Sequence, residues 1–497
     1  MNKAQSGVNL CQTLFCITTE LPGIFKPRTF SFTLSPELIA MQKKQRIHFI
    51  AIAGSVMHNL AIALKQAGHE VTGSDDEIFE PARTALANHG ILPAKEGWYP
   101  DKMSNSLDVV MLGMHAQKDN PELKRARDLG LKIYSFPDYI YEHSRDKQRI
   151  VIAGSHGKTT ITAIIIHVLN FCNRKFDYVI GARVRGIEQT VKLSDAPVII
   201  IEGDEYLSSA LDPTPKFLRY HHHIGLISGI AWDHANVFPS EEDYVKQFDL
   251  FADQTPKGGT LIYCDQDAMA LIIGKKERAD VTAISYKSHP HASDSNGQFS
   301  LVFNKEKYPI RIFGSHNFQN INGAKEVLKK IGVTNEQFYK AITTFQGASG
   351  RLEMLGQNQS VAVYKDFAHA PSKVAATVKA VRETFPAREV VACVELHTYS
   401  SLNKKFLPQY KDTLKNAQTP VVYFNPEKVN AKKLDPISAS DIQSAFANPK
   451  IQVFDDATKL QSFLLSQNWK DKNLLMMSSG NWGGMNLREL SEKVTSA

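Results

Sequence analysis

Hydrophobic positions along the chain gather into short, nearly uninterrupted apolar runs rather than alternating ones. The first, Ile47–Ala53, ends at Gly54; a helix-period stretch through Leu64 and a second run at Glu70–Thr72 follow, which predicts a βαβ opening. Similar runs recur at Val109–Leu112, Ile150–Ala153, Val198–Ile201, Ile224–Ile227, Val361–Tyr364, Val390–Val394, Val421–Phe424 and Leu474–Met477. Strands of this kind are buried on both faces, as in parallel sheets covered by helices. Helical periodicity occupies Thr159–Asn170, Gly323–Ile331 and Ser372–Thr384. The pattern predicts an α/β chain of three successive open α/β domains. Breaks at Glu142–Lys147 and at FQGASG, 345–350, set their expected bounds at 41–147, 148–347 and 348–497. Residues 1–40 stand apart: Pro22, Pro27 and Pro36 interrupt them, and Met41 offers a fresh start, so the expectation is a disordered tail or a misassigned start.

Composition narrows the class without choosing a function. At 497 residues and 43% hydrophobic content, the chain can bury several cores. Its five cysteines (Cys11, Cys16, Cys172, Cys264, Cys393) lie far apart with no CxxC or metal-like spacing, which points to a reducing compartment. The net charge of +7, from 58 Lys and Arg against 51 Asp and Glu, suits anionic nucleotides, and no basic run marks a nucleic-acid groove. No apolar stretch approaches the roughly 20 residues of a bilayer span. The expectation is a cytoplasmic protein, a monomer or weak homodimer, without nucleic-acid or membrane partners.

Candidate chemistry sits at the strand ends. The run IVIA, 150–153, leads into Gly154, Ser155, His156, Gly157, Lys158, Thr159 and Thr160, then into the apolar helix ITAIIIHVL. A Gly-rich turn at a helix N-terminus aims main-chain N–H groups and the positive dipole end at phosphates; Lys158 adds charge and Thr159 a hydroxyl for Mg²⁺. The usual GxxxxGK[ST] spacing would require glycine at Ile152, so GSHGKTT is a shortened variant. The turn near the start retains only Gly54 of a GxGxxG fingerprint. With Asp75 at the end of the second strand, about 20 residues on, it marks a second nucleotide site, for a dinucleotide or a UDP-sugar. After the strand APVIII come Glu202, Gly203, Asp204, Glu205 and Tyr206, and HIGLISGI delivers Asp233, His234 and Asn236. Carboxylates so placed are hard-oxygen candidates for Mg²⁺ beside the phosphates.

Taken in order, GSHGKTT, EGDEY, WDHANVF and FGSHNFQN resemble the central domain of the Mur ligases. FQGASGRLE resembles that family's arginine loop, YKDFAHAPSKV its DYAHxP motif, and LLMMSSGNWGG its closing strand and Gly-rich turn. With IAGSVMHNLA and VTGSD at the start, the likeness covers nearly everything from Met41 onward. It implies a Rossmann-like N-terminal domain for a UDP-sugar, a central P-loop ATPase domain and a Rossmann-like C-terminal domain for the acceptor. It also implies the cofactors ATP and Mg²⁺ and an amide-forming reaction. ATP would phosphorylate the carboxylate of a UDP-sugar acid, and an amine would attack the acyl phosphate. The stretch from EYLSSALDPTPK to DHANVF is similar to ligases of peptidoglycan recycling that join murein tripeptide, L-Ala-γ-D-Glu-meso-diaminopimelate, to UDP-N-acetylmuramate. The alternatives are ligation of L-alanine to the same sugar in biosynthesis, or a P-loop nucleotide-binding protein without ligase activity.

The resemblance implies roles residue by residue. Lys158, His234, Arg351 and His369 would be catalytic. Gly154, Ser155, His156, Gly157, Lys158, Thr159 and Thr160 would hold ATP phosphates, with Asn317 and Asn320 at the adenine, Arg351 reaching the γ-phosphate, and Asp366 near Mg²⁺ or the ribose. Thr159, Glu202 and His234 would be the metal ligands, with Glu205 and Asp233 as second choices. Gly54, Ser55, Met57, His58, Ser74 and Asp75 would bind the UDP-sugar, and His369 would face the incoming amine. This chain departs from the family pattern where paired arginines are reduced to Gly350 and Arg351, and where LHTYSS, Leu396–Ser401, lacks a proline and arginines.

Overall fold

The computed structural model describes residues 44–496, apart from 182, 183, 185, 186, 188 and 295–297. The expectation for residues 1–40 lies outside the described residues. Strands β1 (Arg46–Ile50), β2 (Glu70–Ser74), β3 (Val109–Leu112) and β4 (Ile133–Ser135) form an all-parallel sheet in the order β2-β1-β3-β4. The helix α1 (Ser55–Gln66) returns from β1 to β2 and buries Leu60, Ala61 and Leu64.

The second sheet is built from β5 (Gln148–Ala153), β6 (Asp177–Val179), β7 (Val191–Lys192), β8 (Val198–Glu202), β9 (Ile224–Ile227), β10 (Thr260–Cys264) and β11 (Thr282–Tyr286). Its order, β11-β10-β9-β5-β8-β6-β7, puts β5 between β9 and β8 and is parallel except for the edge pair β6–β7. This order decides the site, because the chain leaves β5, β8 and β9 side by side at their C-terminal ends, where open α/β sheets bind ligands. The helix α2 (Lys158–Phe171) follows β5 and is buried on most of its circumference, from Thr159 to Leu169, as its all-round apolar sequence requires. The helix α3 (Glu241–Asp253) supplies Tyr244, Phe248 and Phe251 to the core that also holds Phe217.

A small antiparallel sheet of β12 (His291–Ser293), β13 (Phe299–Phe303) and β14 (Glu306–Pro309) precedes the helix α4 (Ser315–Lys330). The last sheet comprises β15 (Glu353–Gln357), β16 (Ala362–Asp366), β17 (Glu389–Leu396), β18 (Thr419–Phe424), β19 (Gln452–Phe454) and β20 (Lys472–Met477), in the order β15-β16-β20-β17-β18-β19. Only β15 runs antiparallel. The helix α5 (Pro371–Thr384) follows β16 and opens with Pro371, which needs no intrahelical donor there.

The α/β architecture agrees with the hydrophobic pattern, and Val109–Leu112 and Ile224–Ile227 match it residue for residue. The antiparallel sheet β12–β14 and the edge strand β15 do not follow from that pattern. Their residues are mostly half-buried or exposed, so no continuous apolar run marks them. The helix expected from Gly323 begins eight residues earlier, at Ser315, because its first turns carry polar side chains that face a cavity instead of a core. Among the described residues, no helix is long and apolar enough to cross a membrane.

Candidate active site

A cavity of about 530 Å³ opens above the C-terminal ends of β5, β8 and β9. It is lined from the second sheet by the 155–160 turn, Glu202, Asp204, Glu205 and His234, from α4 by Asn317 and Asn320, and from the last sheet's side by Arg351, Asp366, His369 and Lys373. The tertiary fold thus brings together every catalytic and ATP-site residue that the sequence singled out, except Gly154, which starts the same turn.

Two glycines in the turn are required by contact as well as by dihedral angle. Gly154 has φ +131°, and a Cβ there would lie 2.1 Å from Ser228 Oγ; Gly157 has φ +79°, and its Cβ would lie 2.3 Å from Asn320 Oδ1. Any L side chain would meet both steric penalties at once. Asn320 therefore seals the turn from α4, while Asn317 donates through Nδ2 to the Phe313 carbonyl at 2.8 Å. Ser155 Oγ is turned into the protein, 2.8 Å from Tyr244 Oη and accepting Ala231 N–H at 2.9 Å, so its hydroxyl holds the loop.

The charges form linked pairs. Lys158 Nζ donates to Glu205 Oε2 at 2.6 Å and to the Gly154 carbonyl at 2.5 Å. Burial by itself would raise the Glu205 carboxyl, but Lys158 and His234 outweigh it and hold it down at about 2. Burial likewise opposes the charge on Lys158, and Glu205 more than restores it, raising the ammonium above its usual range. His234, held at φ +56°, stands 3.5 Å from Glu205 Oε1; Glu205 and Asp233 raise its pKa against the effect of burial. Asp233 in turn pairs with Lys373 at 3.2 Å, and Asp204 with Lys216 at 2.6 Å.

Thr159 Oγ1 donates to Glu202 Oε1 at 2.8 Å, and Arg351 Nη2 reaches the same hydroxyl at 3.3 Å from the last sheet's side. The Arg351 guanidinium lies 4.6 Å over the Phe367 ring, and burial lowers its pKa. His156 and His369 are both pushed down to about 4, first by burial and then by the nearby cation Lys373. His369 Nδ1 is 2.8 Å from the Phe367 carbonyl, so that nitrogen is the donor and Nε2 remains the ring's acceptor.

Several of the expected residues also have partners within the protein. Asp366 lines the cavity, yet its oxygens accept Leu352 N–H at 2.6 Å and Ala368 N–H at 2.7 Å, so it fastens the Arg351 turn to β16. His234 pairs with Glu205, and Thr159 with Glu202, on the same wall of the cavity. At the first sheet, Asp75 spends its oxygens on the N–H groups of Ala53, at 2.7 Å, and Asp76, at 3.1 Å, and burial pushes it up to about 6. With these two bonds it organises the turn after β1. Ser74 and Met57 are buried, and His58 Nδ1 closes on the Gly54 carbonyl at 2.9 Å. Gly54 and Ser55 are the accessible members of that group. Residues the sequence reading passed over include Tyr244, Ser228 and Lys373; only Lys373, inside the APSKV motif, carried a signal.

Among the described residues, no group of three or more His, Cys, Asp or Glu side chains is placed to hold a metal ion by itself. The pair Thr159–Glu202 does suit Mg²⁺ arriving with a nucleotide, since that ion keeps several waters and takes its other ligands from phosphates.

Sequence profiles match the chain in three consecutive parts: the Mur ligase family, catalytic domain, at residues 46–148, the Mur ligase middle domain at 152–328, and the Mur ligase, glutamate ligase domain, at 350–480. The chain is similar to a UDP-N-acetylmuramate–L-alanyl-γ-D-glutamyl-meso-2,6-diaminoheptandioate ligase of Haemophilus influenzae, with 26% identity over 463 residues that cover 90% of this chain and 99% of the relative. It is also similar to a UDP-N-acetylmuramate–L-alanine ligase of Lactobacillus acidophilus, with 28% identity over 452 residues, 88% of this chain and 96% of the relative. Among solved structures, a murein peptide ligase of Psychrobacter arcticus shares the fold with a TM-score of 0.62 at 21% identity, covering 91% of this chain and 99% of that one.

Proposed function

The chain belongs to the Mur ligase family, and from that premise we propose that it joins the tripeptide L-Ala-γ-D-Glu-meso-diaminopimelate to UDP-N-acetylmuramate at the expense of ATP. The observation that carries the proposal is one cavity lined by a phosphate-binding turn on one side and by Arg351 and His369 on the other. End-to-end similarity to a ligase of that specificity supplies the substrates.

ATP phosphates lie on the 154–160 turn, with Lys158 exchanging Glu205 for phosphate oxygens and Asn317 and Asn320 beside the base. Gly54 and Ser55 hold the diphosphate of the sugar nucleotide at the start of α1. A carboxylate oxygen of the sugar acid attacks the γ-phosphorus, and ADP leaves. Such transfers depend on positioning and positive charge. Lys158 and Arg351 meet that need from opposite walls, and Phe367 keeps the guanidinium in place. Mg²⁺ held by Thr159 and Glu202 would add charge neutralisation at the phosphates. The acceptor nitrogen then bonds to the acyl carbon, and inorganic phosphate departs. The nitrogen's proton passes to Nε2 of His369, which burial and Lys373 keep neutral. Enclosure of the cavity from both sides excludes the water that would hydrolyse the acyl phosphate.

Similarity to the L-alanine ligase supports a second reading in which free L-alanine is the acceptor. Phosphate release with ATP, Mg²⁺ and UDP-N-acetylmuramate separates the two. Turnover with tripeptide and little with L-alanine supports the proposal, preference for L-alanine replaces it with the second reading, and release with ATP alone refutes both.

A further inference from the structure

The loop between Tyr206 and Lys216 leaves the site for the neighbouring domain and returns. Its neck is tied by a bridge between Leu207 and Pro215, by Ser208 N–H and Oγ–H to the Thr214 carbonyl at 2.9 and 2.6 Å, and by Lys216 N–H to the Tyr206 carbonyl at 2.9 Å. Its tip is closed by Ser209 Oγ, which accepts the N–H groups of Leu211 and Asp212 at 3.3 and 3.1 Å. A loop so bonded is held in one shape. Directly before the neck stand Asp204 and Glu205, the latter holding Lys158.

The tip carries one apolar side chain of size, Leu211, and it is not spent on the loop's own sheet. Leu211 packs against the cluster of Ile50, Ala51, Met103, Leu112 and Ala116 behind the turn that follows β1. That turn is tightly built. Ala51 occupies the left-handed region at φ +64°, and a Cβ on Gly113 would lie 2.8 Å from the Ala51 carbonyl oxygen. Arg219 clamps the same junction, with Asp212 of the loop at 3.2 Å and Asp138 of the first domain at 2.9 Å. A leucine in a polar ALDPTP segment would ordinarily be a surface residue; here it is half-buried against the first domain and ties the 51–54 turn to the carboxylates at the phosphate site.

We infer that Leu211 is a positioning residue that couples occupancy of the Gly54 turn to the placement of Glu205 and Lys158, so that the sugar nucleotide and ATP tighten one another's binding. The inference rests on the assignment of UDP-N-acetylmuramate to the Gly54 turn and ATP to the 154–160 turn. Coupling between two such sites is reciprocal and commonly amounts to about 5- to 150-fold in affinity.

The test is titration of the full chain with a non-hydrolysable ATP analogue, with and without saturating UDP-N-acetylmuramate, for the native protein, Leu211→Ala, Leu211→Met and Asp138→Asn. Expected are an affinity ratio of about fivefold or more in the native protein and in Leu211→Met, and a ratio near one in Leu211→Ala with each ligand alone bound as in the native chain. Asp138→Asn, which removes the charge from a half-exposed ion pair with Arg219, is expected to fold and to lower the ratio in part, and it decides the question if Leu211→Ala does not fold. A native-sized ratio in Leu211→Ala, or in Asp138→Asn where the alanine variant does not fold, overturns the coupling while leaving the functional reading intact. Failure of the native chain to bind UDP-N-acetylmuramate overturns the functional reading and the coupling with it.

Discussion

Lys158 Nζ lies 2.6 Å from Glu205 Oε2, so the cation of the phosphate-binding turn has a carboxylate partner within the protein. The carboxylate is 2% exposed and the ammonium 13%, which makes the pair a buried one. Removing one partner of such a pair leaves an uncompensated charge and costs about 3–5 kcal/mol. Glu205→Gln is therefore expected to lower the thermal midpoint of the free protein by several degrees. Phosphate oxygens can replace the lost partner, so Mg²⁺-ATP should recover most of the loss and give a larger upward shift than in the native chain. Thermal unfolding with and without nucleotide checks this, and equal shifts in both proteins would contradict it.

Arg351 reaches Thr159 Oγ1 from the far wall of the cavity, 192 positions along the chain. A cation that acts on charge developing during phosphoryl transfer should matter more for turnover than for binding. Arg351→Met is expected to reduce kcat by about 10²-fold or more, in the range found on loss of one electrostatic contact in a transition state. Affinity for ADP should stay within about threefold of native. A parallel loss of both would make Arg351 a binding residue only.

Gly157 faces Asn320 at a distance that leaves no room for a methyl group. Gly157→Ala should abolish nucleotide binding in a fluorescence titration. Gly350→Ala serves as the control: it shares a positive φ, at +65°, but no atom stands within 4 Å of its Cβ position. Its penalty should be confined to backbone strain of about 1–2 kcal/mol. Equal effects would show that strain, not the contact with Asn320, explains both.

His222 is fully enclosed, with Nε2 2.9 Å from Thr255 Oγ1, and burial followed by the charges of His223 and His221 lowers its pKa to about 3. The unfolded chain takes up a proton near pH 6.5 that the folded chain refuses. Its contribution to stability is thus fully present above about 6.5 and is lost progressively as the pH falls toward 3. His222→Gln should reduce the slope of the profile between pH 6.5 and 4.5, where His156 and His369, both at about 4, supply the remainder, above the range where Glu205, at about 2, begins to contribute. Urea midpoints measured across this interval provide the check, and an unchanged slope would contradict it.

The phosphate turn was legible because its chemistry is local: glycines, a lysine and a threonine in seven consecutive residues between an apolar strand and an apolar helix. The first-domain turn was only half legible. Ala51 adopts the left-handed conformation that a glycine would announce, and it can do so because the cluster around it, with Gly113 opposite, determines the turn. Asp75 stands at the strand end the sequence pointed to, but a position at a strand end does not name the main-chain groups its carboxylate holds. In the structure it accepts the N–H groups of Ala53 and Asp76.

What the sequence determined by itself is whatever depends on neighbours along the chain: buried parallel strands from continuous apolar runs, the helix after β5, and a phosphate-binding turn between them. What only the tertiary structure decided is which distant groups share a volume too small for them to ignore one another. Lys158 with Glu205, Arg351 with Thr159, Asp233 with Lys373 and Leu211 with the cluster around Ala51 lie far apart in the chain. Hydrogen-bonded ion pairing and apolar contact require separations of a few ångströms, so such partnerships exist only once sheet order and loop packing have set the distances.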